Sequence, residues 1–499
     1  MKSIKLYFGI VLGVFVSSAF GQSYSEELLK YSLTDVNGTA RSIGVGGAFS
    51  SVGADMSCAT SNPAGLGLYR STEISISLGG ILNTNRTTFF NNTTNADKLN
   101  VSLPHVGAVF AIPIKTPAGK NFFQFGFVYN RLADFGGVKE FKGVNNNNSK
   151  VDVFYNEVTT TNLPITYENY APGTVQAWNT YLLDTLPGGT YFKRINGPVK
   201  QSGSYVEKGG SNEMNITMSG NINDKFYIGA AVGIPWMNYE RTKEYNEQIV
   251  QYDSAYGFKS FSQSDFYKVS GLGLNLKLGV IVKPFPFWRI GASITTPSAY
   301  FKLQESNNSA MNSVIDGTTQ TYTFASDTFS SAPYRFSYSR PLKATFGTSF
   351  IINKWGFISV DYELNDYKHL ALGFDENKTL SDAYNHDISR LYGIGHTVKA
   401  GAEISWNVLR VRAGYQWNSS PFQSGVGVKG FDLQRHTISA GLGYRGKLFF
   451  ADLAYAHTMG SDFTSLYRAS ANEPVLLNKF TNDRIVLTVG FKFGGKKSN

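Results

Sequence analysis

The residues able to do chemistry are few and scattered in this 499-residue chain. Three of its six histidines, His396, His436 and His457, fall at the ends of segments that alternate apolar and polar residues, and His436 and His457 lie on neighbouring segments. A serine beside a histidine, oriented by a third polar group, is the arrangement that hydrolyses esters. No serine motif marks a nucleophile here, and a histidine at a strand end serves as well as a polar rim residue, so no enzyme is expected. No His, Cys, Asp or Glu spacing suits a metal ion. Gly44, Gly46 and Gly47 lack the preceding strand and following lysine of a phosphate loop, so no cofactor is expected. The single cysteine, Cys58, excludes an internal disulfide and has no activating neighbour. The formal charge of +10 comes without an arginine-rich block, which argues against a nucleic-acid partner.

The remaining chemistry is charge placed on the polar faces of alternating segments. Lys277, Arg289, Asp361, Glu363, Lys399, Glu403, Arg410, Arg412, Asp452, Arg484 and Lys492 share this placement. Enclosed charges need partners, so one reading is an interior web of ion pairs. The other is that Arg410 or Arg412, with Lys399 as a further cation, meets a ligand carboxylate, which a guanidinium grips through two parallel bonds.

The segments that carry these charges read as strands. In 409–417, LRVRAGYQW, Leu409, Val411, Ala413, Tyr415 and Trp417 share one face, and Arg410, Arg412, Gly414 and Gln416 the other. The same alternation runs through 271–280 and 484–493. Fourteen such strands are expected between 72 and 493, with connections that alternate long (83–101, 132–210, 239–267, 304–334, 366–395, 419–433, 459–483) and short (such as 222–224 and 406–408). Long loops at one end and tight turns at the other describe a transmembrane antiparallel β-barrel. Only 16% of residues are charged, against about 25% in soluble domains. Aromatic residues reach 14%, and Trp236, Trp288, Trp355, Trp406 and Trp417 near strand ends are expected to form interfacial girdles. Residues 1–21 read as a secretory signal peptide: Lys2 and Lys5, an apolar run, then Ala19-Phe20-Gly21 before the cut. The expected organisation is a signal peptide over 1–21, an N-terminal plug over 22–71 and a barrel over 72–499, placed in the outer membrane against lipid and lipopolysaccharide as a monomer.

Residues 38–49, GTARSIGVGGAF, and the cluster Ser61-Asn62-Pro63-Ala64-Gly65-Leu66 carry a further signal. Ahead of fourteen strands, they resemble the plug, or hatch, of the FadL/TodX family of outer-membrane transporters for long-chain fatty acids and aromatic hydrocarbons. Weaker echoes follow at 289–300, 341–350 and 410–422. The resemblance implies capture of a hydrophobic ligand at the outer loops, an apolar site in the upper barrel, release by movement of the hatch, and exit through a side opening made by an inward kink in the third strand. In that strand, 122–131, Gly126 is the candidate kink. The hatch motif is Asn62, Pro63, Ala64 and Gly65, read as a hinge between plug and wall. Two other functions fit a barrel with long loops: a diffusion porin, or a surface protein that uses 132–210 for adhesion.

Overall fold

The computed structural model describes residues 26–116, 119–325, 334–374, 377–469 and 472–493. The expected signal peptide, residues 1–21, and the terminal GGKKSN lie outside these residues. Fourteen antiparallel strands form a closed ring: β1 (Thr72–Phe89), β2 (Asn92–Thr116), β3 (Gly119–Asp134), β4 (Val199–Ile222), β5 (Phe226–Ile249), β6 (Phe258–Phe285), β7 (Trp288–Thr295), β8 (Lys343–Ile352), β9 (Gly356–Asp366), β10 (Ile394–Trp406), β11 (Leu409–Asn418), β12 (Arg435–Arg445), β13 (Phe449–Ser465) and β14 (Val475–Phe493). The ring closes where β1 pairs with β14, from Thr72↔Phe493 to Thr88↔Leu477. Closure is what lipid demands, because hydrocarbon cannot satisfy an open strand edge.

One face of each strand looks outward and is apolar across the bilayer. On β14 the outward residues run Ile485, Leu487, Val489, Phe491, Phe493. That stretch is about 26 Å of strand, or roughly 20 Å of height at the usual barrel tilt. At the tight-turn end, periplasmic in such barrels, Phe285, Trp288 and Phe350 stack in series and Trp406 is 74% exposed, forming an aromatic girdle. The turns there are short, with left-handed residues such as Asn353 and Asn407 reversing the chain.

The segments expected as long loops are largely strand. β1 and β2 continue through 83–101 to a tight turn at Phe90–Asn91, and β5, β6, β13 and β14 likewise rise past the lipid. Above the bilayer their outward face is polar, so the alternation disappears although the strand does not. Five more strands extend the same sheet upward: Gly137–Asn145, Ala299–Ile315, Thr318–Ala325, Tyr334–Ser339 and Ala371–Gly373. The expected strands 288–303 and 335–350 are each divided, at Pro297 and at Pro341, where proline cannot donate to a ladder. The segment 132–210 supplies a cap built on helices Lys150–Thr161 and Pro172–Asn179. Their Val151, Phe154, Val158 and Val175 pack on Tyr245, Phe258, Phe261 and Met311 across the top of the barrel. Ser149 caps the first helix, and Glu247 accepts from the Lys150 amide (2.8 Å), which fastens the cap to β5.

Candidate functional site: plug, chamber and lateral cleft

Residues 34–68 fill the lumen at bilayer height. The wall makes room by carrying glycine where the plug backbone touches it. A Cβ at Gly414 would lie 2.1 Å from the Gly46 nitrogen, and one at Gly291 would lie 2.5 Å from the Ser50 carbonyl oxygen. Where the wall has hydroxyls they bond the plug instead: the Ala40 amide donates to Thr488 (2.7 Å), and Ser359 donates to the Ala48 carbonyl (2.7 Å).

The Asn-Pro-Ala-Gly cluster is the most densely held part. Asn62 is fully buried; its side-chain amide donates to the Ser50 carbonyl (2.7 Å) and to the Val280 carbonyl of β6 (3.3 Å), while its oxygen accepts from the Ala64 amide (3.1 Å). Pro63 opens a 3-10 helix, Pro63–Leu68, where a missing N–H costs nothing, and its carbonyl accepts from Ser219 of β4 (2.7 Å). Gly65 packs against Cys58, leaving no room for a Cβ. Burial pushes the Cys58 thiol well above its ordinary value, which fits an inert packing residue. Tyr69-Arg70-Ser71 then leads into β1.

The charged candidates separate. Arg412 is fully buried and bonds Glu403 (2.6 Å) and Asp452 (2.7 Å). Glu403 also holds Arg41 of the plug (3.1 Å), and Asp452 holds Arg445 (2.7 Å). This is the ion-pair web, and it fastens plug to wall. Arg410 is not in the lumen proper: at the periplasmic turn it donates to the carbonyls of Asn407 (2.7 Å) and Leu409 (2.8 Å). Its place on the polar face was legible, but its position at the strand end takes it out of the lumen. Lys399 bonds Glu363 (2.9 Å), with Lys343 4.0 Å from the same carboxylate. These three line a cavity of about 90 Å³ above the plug, together with Asp35, Thr60 and Arg131.

Above this cavity lies an aromatic chamber of Phe135, Tyr239, Tyr300, Leu303, Phe336 and Tyr338. The chain fills it with its own residues: Leu28, Leu29 and Tyr31 from the helical turn 26–32. Tyr31 meets Tyr239 edge-on at 5.3 Å, and Tyr338 donates to the Leu28 carbonyl (3.1 Å). Glu27 pairs with Arg241 and Lys30 with Glu207 above the apolar layer. Desolvation pushes Glu26 up to about 7, against the opposing pull of Arg241 and Lys139. The docked turn therefore favours protonated Glu26. Docking is strongest below the ordinary carboxylate value of about 4.5 and weakens as pH rises through 7. A spin label at Leu33 is expected to gain a mobile component between pH 5 and pH 8.5, and Glu26→Gln to remove that dependence; equal pH dependence in both proteins contradicts the assignment.

The wall opens on one side. β2 and β3 pair only up to His105↔Asn130. Beyond that, β2 pairs with β1 alone, and β3 follows β4 through a register shift at Arg131/Ala133. The chain then crosses inward, where the Gly136 carbonyl accepts from Asn83 (2.7 Å) and Asn100 (3.2 Å). The gap is a cleft of about 630 Å³ lined by Lys98, Leu99, Val101, Arg131, Asp134 and Trp236, among others. Leu99 and Val101 are 70% and 84% exposed on its rim. Arg131 lines both this cleft and the lumenal cavity, and is held by Asp134 (2.7 Å). The departure is thus at Arg131–Gly136 and not at Gly126. Gly126 pairs regularly with Val109 and Thr217, and its missing Cβ admits Leu66 of the plug. Strand pattern could not locate the departure, because the change is in pairing and not in the residues' alternation.

A serine–histidine–asparagine relay escaped the sequence reading, which considered only the rim histidines. His105 donates to Asn130 (2.9 Å) and accepts from Ser75 (3.0 Å), and Asn130 donates to Thr60 of the plug (2.7 Å). All three side chains are buried, and Met56 of the plug covers Ser75 at 3.3 Å. With the nucleophile position covered, the relay clasps the plug to β1, β2 and β3.

No family model and no curated protein matches the sequence. Solved structures do match in fold. The toluene transporter TodX of Pseudomonas putida is 14% identical, with 93% of this chain and 100% of that one covered at a TM-score of 0.53. A FadL homologue of Pseudomonas aeruginosa is 13% identical, with 93% and 100% covered at 0.56. The toluene transporter TbuX of Ralstonia pickettii is 13% identical, with 92% and 99% covered at 0.51. A closed fourteen-stranded antiparallel barrel with an N-terminal plug is the fold this chain has in common with the FadL- and TodX-type outer-membrane channels.

Proposed function

We propose that the protein carries small hydrophobic compounds across the outer membrane and releases them sideways into the bilayer. The observation that supports this reading best is the pairing of a filled lumen with an opened wall. A solute cannot pass straight through residues 34–68, whereas the β2–β3 cleft adjoins the lumenal cavity at Arg131. For an apolar solute, exit into hydrocarbon also avoids the cost of re-entering water. The matched structures are named as transporters of toluene and as a FadL homologue, which favours the same solute class. In this mechanism the ligand and residues 26–32 compete for the aromatic chamber. Lys399 and Lys343 stand beneath it to receive a polar head, and Asn62–Gly65 stays fixed while the far end of the plug loosens. Arg131, released from Asp134, unblocks the way to the cleft.

Gly210→Trp tests the route. A Cβ at Gly210 would lie 2.5 Å from Arg131 Nη2, so the indole would crowd the cleft. Uptake of labelled oleate or toluene by cells lacking other channels is expected to fall at least fivefold, with the folded barrel retained. Undiminished uptake removes the sideways route. Rapid swelling of wild-type proteoliposomes in sugars would favour a diffusion porin instead.

A further inference from the structure

The edges of the β2–β3 cleft differ in chemistry. Its floor is the end of the β2–β3 ladder at His105↔Asn130. Its sides are apolar: Leu99 and Val101 of β2 on one, and on the other Trp236 of β5, backed by Tyr129 with 5.6 Å between ring centroids. Its upper edge is cationic. Lys98 reaches across the gap from β2 and donates to the Glu207 carbonyl of β4, and Lys208, the next residue of β4, also lines the cleft. The height is that of lipid headgroups. β1 turns Ile74, Ile76, Leu78 and Leu82 outward, and above them Thr84 and Arg86. Leu82 pairs with Leu99 and Asn83 with Lys98, so Lys98 stands one residue above the last apolar pair that faces lipid.

Neither lysine is neutralised by a carboxylate. The acids that act on Lys98 are Asp134 and Glu207, and these pair with Arg131 (2.7 Å) and with Lys30. Glu240, opposite Lys208 in register, bonds Lys268 (2.8 Å). Asp97 precedes Lys98 on the other face of β2 and does not line the cleft. The bond to the Glu207 carbonyl uses one of the three Lys98 protons and leaves two for a ligand. Two cations therefore stand above an apolar slot that opens to the bilayer. An anionic head above and a hydrocarbon tail below is the orientation of a lipid in the outer leaflet. We propose that the cleft holds one phosphate-bearing, net-anionic lipid of that leaflet, with its phosphate on Lys98 and Lys208 and one acyl chain between Leu99 and Trp236. Charge complementarity selects the head, and the slot is filled by the hydrocarbon that surrounds it. A solute leaving by this route displaces that chain, so the seated lipid seals the opening between transport events.

The test uses the full chain in nanodiscs of phosphatidylglycerol and phosphatidylcholine in equal amounts and with the same acyl chains. Lipid retained on the released barrel is counted by native mass spectrometry. Wild type is expected to retain phosphatidylglycerol over phosphatidylcholine by about fivefold or more, the effect of one lysine beside an anionic surface. The double variant Lys98→Gln, Lys208→Gln is expected to lose this preference. Gly210→Trp, whose indole crowds the cleft, is expected to lose it as well. Lys225→Gln with Lys354→Gln, at two exposed lysines of the periplasmic turns, keeps it. Heat-modifiable mobility on gels confirms that each barrel is folded. No preference in wild type, or an undiminished one in the folded Lys98/Lys208 double variant or in Gly210→Trp, overturns the proposal. So does retention of added oleate in place of phosphatidylglycerol through the two lysines, since the anion held there would then be the solute's. The lipid count is made without transport, so its failure is distinguishable from a failure of uptake.

Discussion

Gly414→Leu is expected to convert the plugged barrel into an open pore. The Cβ alone would meet the Gly46 nitrogen at 2.1 Å and the Val45 carbonyl carbon at 2.2 Å. Both are backbone atoms of a turn in which Gly46 has φ +65, so the contact cannot be relieved by a rotamer change. The outward neighbours of β11 and its pairing with β10 and β12 are untouched, so the ring still closes. The turn 44–47 must then leave its seat, and sugar flux in liposome swelling is expected to rise about tenfold or more over wild type. Gly80→Leu is the matched control, since the nearest atom to a Cβ there is 4.0 Å away. A folded Gly414→Leu barrel with wild-type sugar flux would mean that the plug does not depend on this seat.

Arg412→Ala and Arg410→Ala, two residues apart on one face of β11, are expected to differ sharply. Removing Arg412 leaves Glu403 and Asp452 buried with one cation fewer, a loss of about 3–5 kcal/mol when a buried pair is broken from one side. Removing Arg410 deletes only bonds to carbonyls of its own turn and is expected to change stability by less than about 0.5 kcal/mol. Denaturant midpoints of the refolded barrels decide this. If Arg412→Ala kept its stability but lost uptake of carboxylate-bearing solutes alone, Arg412 would contact ligand and not the plug.

These two arginines also show how far the sequence could be read. Alternation placed both on the polar face of one strand and counted fourteen strands, because outward residues must be apolar wherever lipid touches them. It could not say that Arg412 stands beside plug residue Arg41 while Arg410 stands at a turn, since that depends on where the bilayer begins. Pattern also stopped at the lipid surface: β1, β2, β5 and β6 continue as strands into water, where nothing enforces an apolar face. Resemblance in Asn62–Gly65 pointed to a plug, and its bonds to Ser50, Val280 and Ser219 locate it. The aromatic chamber left no trace in the sequence, because Tyr31, Tyr239, Tyr300 and Tyr338 come together only through the topology.

The three residues between plug and wall impose a leash. Tyr69, Arg70 and Ser71 span at most about 10 Å when fully extended, and Leu68 is already seated near β4 and β5. The plug therefore cannot drop out as one body and return; it is moored at its C-terminal end to the first strand of the ring. In the proposed mechanism opening peels from the other end, beginning at residues 26–33 and stopping where Asn62 is anchored. The proposed transport is in that sense an unzipping with a fixed last tooth, and its reach is limited by the number of plug residues ahead of Asn62.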